Sequence, residues 1–211
     1  MNKEIERAYI VHDIVALRSG LASAGFSLVK KESQVNLYLD HPFLNLMVNK
    51  TYMRVRWIDG WTNAELSFSM PRVDFTAGAE VRPQYSFAKK TRKSIEAAVD
   101  ILKSLGFYEV LVLEKDRELL TISGSVPIAG TIHVEIDTNV TVHPRNVDDL
   151  PGAKRSDTRL DDTVQICVET GPGVITDAAS AGKSLVQFAR EIGLDEGDIT
   201  AKNYFERYCE A

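Results

Sequence analysis

The sequence predicts an α+β protein, an antiparallel β-sheet with helices packed on its apolar face. Two observations predict it. Several segments alternate apolar and polar residues with the period of half-buried strands, and three others place apolar residues at helical spacing and stop at glycine. A third observation, the sorting of charge by strand, bears on whether the sheet is open or closed.

Strand character begins at the N-terminus, where KEIERAYIV puts Glu4 and Glu6 two apart and so on one face. Residues 12–24 (HDIVALRSGLASA) read as the first helix, ended by Gly25. In SLVKKESQVNLYLD one face carries Lys30, Glu32, Gln34, Asn36, Tyr38 and Asp40, and the other Val29, Val35, Leu37 and Leu39. TYMRVRWI sets Arg54 and Arg56 against Met53, Val55 and Trp57, and AELSFSM sets Glu65, Ser67 and Ser69 against Leu66, Phe68 and Met70. Residues 89–105 read as the second helix, with Ile95, Val99 and Leu102 on its stripe and Gly106 as its stop. LEKDREL then carries Lys115 and Arg117. TIHVEIDTNV sets His133, Glu135 and Asp137 against Ile132, Val134 and Ile136, and DTVQICVE sets Gln165, Cys167 and Glu169 against Val164, Ile166 and Val168. Between them, residues 141–160 are polar and irregular, and read either as a lid that adds Arg155 and Arg159 to a site or as a disordered loop. Residues 176–192 read as the third helix, which places the AGKS of 181–184 on a helix surface rather than in a phosphate loop.

Composition bounds the function. The chain has 211 residues, 44% hydrophobic and 26% charged, the balance of a globular protein, and reads as a single domain over 1–211. A net charge of −5 argues against a general nucleic-acid binder. Two cysteines imply no disulfide framework. With no long apolar run and no secretory signal, the expectation is a cytoplasmic protein without membrane partners, as a monomer or homodimer.

Alternation alone fits an open sheet with one solvated face, or a closed barrel with a polar lumen. Charge sorting favours closure. Arg54 lies with Arg56, Lys115 with Arg117, Glu4 with Glu6 and Glu135 with Asp137. Like charges on one strand face are unfavourable unless they share an ionic ligand. Paired arginines grip phosphate oxygens, and carboxylates such as Glu4, Glu6, Asp137 and Glu169 would hold Mg2+ or Mn2+ against those phosphates. Phosphoryl transfer of this kind needs positioning and charge neutralisation, not a side-chain nucleophile. A salt bridge from the arginines to Glu65, and a proton-carrier or structural role for His133, are the competing readings.

These motifs, in this order, resemble the CYTH domain, the fold of the triphosphate tunnel metalloenzymes. EIERAYIV sits where that family has its Glu-x-Glu-x-Lys start, YLD and YMRVRW where it has Tyr-x-Asp and Arg-x-Arg, and VLEKDREL at its Lys-x-Arg strand. HVEID with QICVE resembles its later acidic strands, and KNYFERY its closing segment. The resemblance implies an eight-stranded antiparallel tunnel with a polar lumen. It also implies a metal-dependent phosphohydrolase acting on a nucleoside, thiamine or inorganic triphosphate, or a class IV type adenylyl cyclase. The implied phosphate ligands are Arg54, Arg56, Lys115, Arg117 and Arg82, and the implied metal ligands Glu4, Glu6, Asp137 and Glu169. Glu80, Glu135, His133, Arg155 and Arg159 are further candidates. Departures fall at Ala8 and Ser69, where the family has lysines, at Gly78, and at Cys167, where a carboxylate is missing. They point to a weakened phosphate grip, and open the alternative of a ligand-binding protein without turnover.

Overall fold

The structure, a computed structural model, describes residues 3–42, 45–59, 63–69, 73–74, 80–81, 84–122, 131–146, 155–170, 178–200, 202 and 204–210. The chain runs β1 (Lys3–Ile10), α1 (Ile14–Ser23), β2 (Phe26–Asp40), α2 (Asn45–Val48), β3 (Tyr52–Ile58) and β4 (Asn63–Ser69). It continues through β5 (Val73–Asp74), β6 (Glu80–Val81), β7 (Gln84–Lys90), α3 (Arg92–Ser104), β8 (Tyr108–Ile122) and β9 (Thr131–Pro144). It ends with β10 (Thr158–Arg159), β11 (Thr163–Thr170), α4 (Ala178–Glu191), a 3-10 turn (Glu196–Asp198), β12 (Ile199–Thr200) and α5 (Tyr204–Glu210).

The pairings are antiparallel, in the order β5-β6-β1-β11-β9-β8-β2-β3-β4-β7, with β10 on β9 and β12 on β1. Four of these strands are two residues long, which leaves the eight long strands expected from the sequence. The hydrogen-bonded ring is not strictly closed, because the path ends at β5 on one side and β7 on the other. Connectivity nevertheless curls it. Ser69 ends β4, next to the β7 edge, and Val73 begins β5 at the other edge, and Val81 of β6 returns to Gln84 of β7. Chains this short reach at most ~14 Å and ~10 Å, so the two edges are held together across a seam.

The helices cover the outside, as the alternation requires. Tyr9, Val134, Ile136, Val164 and Ile166 pack with Leu17 and Leu21 of α1 and Leu185 and Ala189 of α4. Leu37, Val55 and Trp57 pack with Ile95 and Val99 of α3. The exception is α5, whose Tyr208 packs with Val110, Leu113, Val140 and Val142, a cluster that includes the lumen-lining Leu113. Asp13 caps α1, accepting from the N–H of Val15 and Ala16 at 3.0 and 2.9 Å. Gly20 lets α1 approach the end of α4, since a Cβ there would stand 2.8 Å from the Ile192 carbonyl oxygen.

Two expectations change. Residues 141–144 are not irregular: they extend β9, where buried Val142 continues the inward alternation and pairs Leu113. The irregular stretch is also tied back by β10, whose Thr158 pairs Val142. The helices α2 and α5, at four and seven residues, are too short to show a helical period. Buried Asp40 starts the first of these, accepting from the N–H of Leu46 and Met47 at 3.1 and 2.9 Å.

Candidate anion-binding tunnel

Lumen-facing residues of the long strands enclose a cavity of about 340 Å³, at the small end of the ~300–1,000 Å³ range of small-molecule sites. β3 contributes Arg54 and Arg56, because Val55 and Trp57 are drawn outward under α3. β8 contributes Lys115 and Arg117, and β9 contributes His133 and Glu135. β2 adds Asn36 and Tyr38, β4 adds Glu65 and Ser69, β1 adds Glu6 and Ala8, and β11 adds Thr163 and Gln165. The C-terminal segment closes the lining with Thr200, Lys202, Tyr204 and Arg207. Six cationic side chains therefore face this space in a protein whose net charge is −5.

The two strand pairs of cations differ in their partners. Lys115 Nζ donates to Asp137 Oδ2 at 2.6 Å, and Arg117 clamps both oxygens of Asp137 through Nε and Nη2 at 2.7 Å. Arg117 also pairs with Glu135. Tyr204 donates its hydroxyl to Asp137 Oδ2 and lies 2.7 Å from Thr163 Oγ1, with Lys115 Nζ 4.8 Å from its ring centre. A register shift between Glu114 and Asp116 of β8 leaves an extra residue on β9, where Asn139 sits at φ 56, while the unbroken alternation of β8 keeps Leu113, Lys115 and Arg117 on the lumen side. Burial and the neighbouring Arg117 lower the Lys115 ammonium to about 7, against the pull of Asp137. Burial opposes ionisation of Asp137, but Arg117 and Lys115 outweigh it and hold its carboxyl far below the usual range.

Arg54 and Arg56 have no such neutralisation. Arg56 Nε donates to Asn36 Oδ1 at 2.9 Å, and Asn36 is fixed in turn by the Leu113 carbonyl at 3.3 Å. Arg54 Nε is buried with no hydrogen-bond partner. Glu65 stands opposite Arg56 in the strand register, but the expected salt bridge does not form among the described residues. Burial, then Arg54 and Arg117, lower Arg56 to about 9. Glu135 and Glu65 pull the other way without reversing the shift, and a guanidinium keeps its proton at working pH.

A tunnel of eight long strands lined this way is the architecture that the family comparison then names. The CYTH domain model matches residues 2–204. The chain belongs to the CYTH domain family. No curated protein sequence matches it. Among solved structures it is similar to a proposed adenylate cyclase of Vibrio parahaemolyticus, with a TM-score of 0.67 and 15% identity over 97% of this chain and 96% of that one. It is similar to the PH1819 protein of Pyrococcus horikoshii, with a TM-score of 0.64 and 20% identity over 96% of each. It is also similar to a proposed adenylyl cyclase of Hippeastrum, described with a dominant triphosphatase activity, with a TM-score of 0.61 and 14% identity over 99% and 95%. At these identities the likeness is one of fold.

In this CYTH chain the candidate acidic residues meet on adjacent strands. Glu4 of β1 is directly opposite Glu169 of β11, and Glu6 is directly opposite Glu80 of β6. Only Glu6 among these four has a described side chain, and it accepts from Gln165 Nε2. Among the described residues no group of three or more His, Cys, Asp or Glu is arranged for a metal. Asp137 is not placed with this acidic set, because four protein donor atoms already occupy its two oxygens.

The remaining candidates divide. Glu135 and His133 line the cavity. Arg159 does not: it is exposed, donates to Asn139 Oδ1 at 3.0 Å and lies near Asp162. Arg155 is exposed and also absent from the lining. Arg82 and Gly78 fall outside the described residues. Ala8 and Ser69 both line the cavity, so the departures from the family pattern fall inside the site itself. Cys167 is buried. Sequence reading assigned no role to Tyr204, Arg207, Lys202, Asn36 or Tyr52. KNYFERY held the signal for the first three, two cations flanking a tyrosine, but no periodicity shows that a short C-terminal helix folds back on the lumen. No described helix is long and apolar enough to cross a membrane.

Proposed function

We propose that this CYTH protein binds a triphosphate in its tunnel and hydrolyses it with the help of Mg2+ or Mn2+. The observation that carries the reading is the Arg54–Arg56 pair: two guanidiniums facing an enclosed cavity with no carboxylate partner among the described residues. Such charges call for an anion, and the two forks match the oxygens of successive phosphoryl groups. The names of the similar proteins from Vibrio and Hippeastrum, one an adenylate cyclase and the other a triphosphatase, agree with a triphosphate as ligand.

The acidic positions fit a divalent cation. Directly opposed like charges destabilise a sheet, and here Glu4 opposes Glu169 while Glu6 opposes Glu80. Oxygen donors in this number suit magnesium or manganese. When bound there, the ion would polarise phosphoryl oxygens and neutralise their charge.

The chain's own residues do the rest. Arg54 and Arg56 bind and orient the phosphates. Lys115 and Arg117, themselves fixed by Asp137 and Glu135, present a positive wall that favours the charge spread over the transferring phosphoryl group. A water attacks the terminal phosphorus, the bridging P–O bond breaks, and the bond's electrons leave with the diphosphate. Glu6, Glu65 and Glu135 face the same space; with Glu6 in the acidic set and Glu135 paired with Arg117, Glu65 is the carboxylate best placed to accept the water's proton. Ala8 and Ser69 favour a second reading, binding without turnover, because they put small neutral side chains in the lining.

Phosphate release from inorganic, thiamine and nucleoside triphosphates, with and without manganese, tests the proposal. Metal-dependent release that disappears in an Arg54→Ala, Arg56→Ala double variant is expected. Thermal stabilisation by triphosphate without release would replace it with the binding reading, and neither effect would refute both.

A further inference from the structure

Among the described residues Arg207 is the one cavity-facing cation supplied by a helix, and its surroundings are incomplete. It is only 9% exposed. One terminal nitrogen donates to the Asp161 carbonyl at 2.8 Å, and its guanidinium lies 5.5 Å from the ring centre of Tyr204. Among the described residues it has no carboxylate in ion-pair contact. A guanidinium has five N–H donors, and a neutral carbonyl and a ring face satisfy neither the donors nor the charge. The ring beneath it cannot drift, because Tyr204 is anchored at Asp137 and Thr163. Asp161, Asp137 and Asp162 act on it only from beyond ion-pair contact, and a held, buried cation with free donors at the edge of a cavity is what an anion subsite requires.

The lining around it points the same way. Ala8 and Ser69 offer space and no charge, and Ala8 pairs directly with Thr200 of β12, the strand that leads the chain into α5. The segment after β12 thus arrives where β1 supplies no cation. Lys202 is not equivalent to Arg207: it is exposed and paired with Glu210.

We infer that Arg207 is a third anion-binding cation of the tunnel, gripping a phosphoryl group together with Arg54 and Arg56, and that the bound ligand thereby fastens α5 to the lumen. This rests on the reading of the tunnel as a polyphosphate site. It deepens that reading by making the C-terminal helix part of the site and by favouring ligands with three phosphoryl groups over those with two.

Calorimetric binding of inorganic tripolyphosphate and of pyrophosphate, with magnesium present and with it chelated, tests this on the unaltered chain, Arg207→Gln, Arg207→Lys and Arg56→Gln. Arg207→Gln is expected to weaken tripolyphosphate about tenfold and pyrophosphate less, and Arg207→Lys to recover part of the loss. Equal losses for both ligands with no recovery in Arg207→Lys would make the residue merely structural and overturn the inference. Tripolyphosphate binding lost in Arg56→Gln but intact in Arg207→Gln would overturn it and leave the tunnel reading standing. No binding by the unaltered chain would overturn both. Amide exchange on the unaltered chain needs no variant to fold: tripolyphosphate should slow exchange across residues 204–210, and unchanged exchange there counts against the inference.

Discussion

Arg54–Arg56 on β3 and Lys115–Arg117 on β8 carry the same signature in sequence, two cations two residues apart on a lumen-facing strand, yet they stand in opposite electrical states. The β8 pair is closed: Asp137 accepts from both members, and Glu135 takes a further arm of Arg117. The β3 pair is open: an asparagine oxygen is the partner of Arg56, and Arg54 Nε has none. The difference teaches that cation spacing marks a wall of the tunnel but not its role. A pair whose countercharge is built into the neighbouring strand is scaffold and electrostatic wall. A pair without one is where a ligand's charge is needed.

Removing the built-in countercharge should have the largest effect. Asp137→Asn would leave Lys115 and Arg117 buried without their shared carboxylate, and breaking such a set from one side costs ~3–5 kcal/mol. Urea denaturation should show a loss of that size, with tripolyphosphate restoring part of it by supplying negative charge. A variant as stable as the unaltered chain would show that the β8 pair is as open as the β3 pair, and the contrast would fail.

The β3 pair should respond in the opposite sense. Arg56→Met removes a half-buried charge without an ion-pair partner among the described residues, so the denaturation midpoint should hold or rise, while ligand affinity falls by ~1.5–3 kcal/mol for a lost charge-assisted contact. A fall in stability without a fall in affinity would mean that a protein partner neutralises Arg56.

Much of this was legible in the sequence, and the exceptions share a cause. Period-two alternation put Arg54, Arg56, Lys115, Arg117, Glu135 and His133 on one side of their strands, and the structure brings these six together. Alternation reports which face a residue occupies, so it gave the lumen. It does not report who stands across it. Asp137 thus read as a metal ligand when its neighbours on β8 and α5 are donors, and Arg159 read as a site residue when β10 turns it toward Asn139 and Asp162. Tyr204 and Arg207 reach the lumen through a seven-residue helix, and no pattern of that length predicts where a chain end docks. The curling of the sheet is similarly non-local: it follows from β6 pairing with β1 and β5 with β6, not from any property of their two-residue strands.

The smallest effect is a proton, and it probes the closed pair from within. The unfolded chain holds a proton on Lys115 up to the ordinary lysine value of 10.5, whereas in the folded chain burial and Arg117 lower that limit to about 7. Between those two values unfolding takes up a proton, so this group makes stability rise with pH above about 7, and its cost is fully present below. A polyphosphate in the cavity adds negative charge beside the ammonium and raises its proton affinity. Binding at pH 8 should therefore take up a fraction of a proton, read as a dependence of the calorimetric heat on the buffer's ionisation enthalpy. The dependence should vanish in Lys115→Met. Uptake that survives in Lys115→Met would move the proton to another group or to the ligand itself. Lys115 would then be as permanently charged as the arginines across the lumen, and what separates the two walls would be their counterions alone.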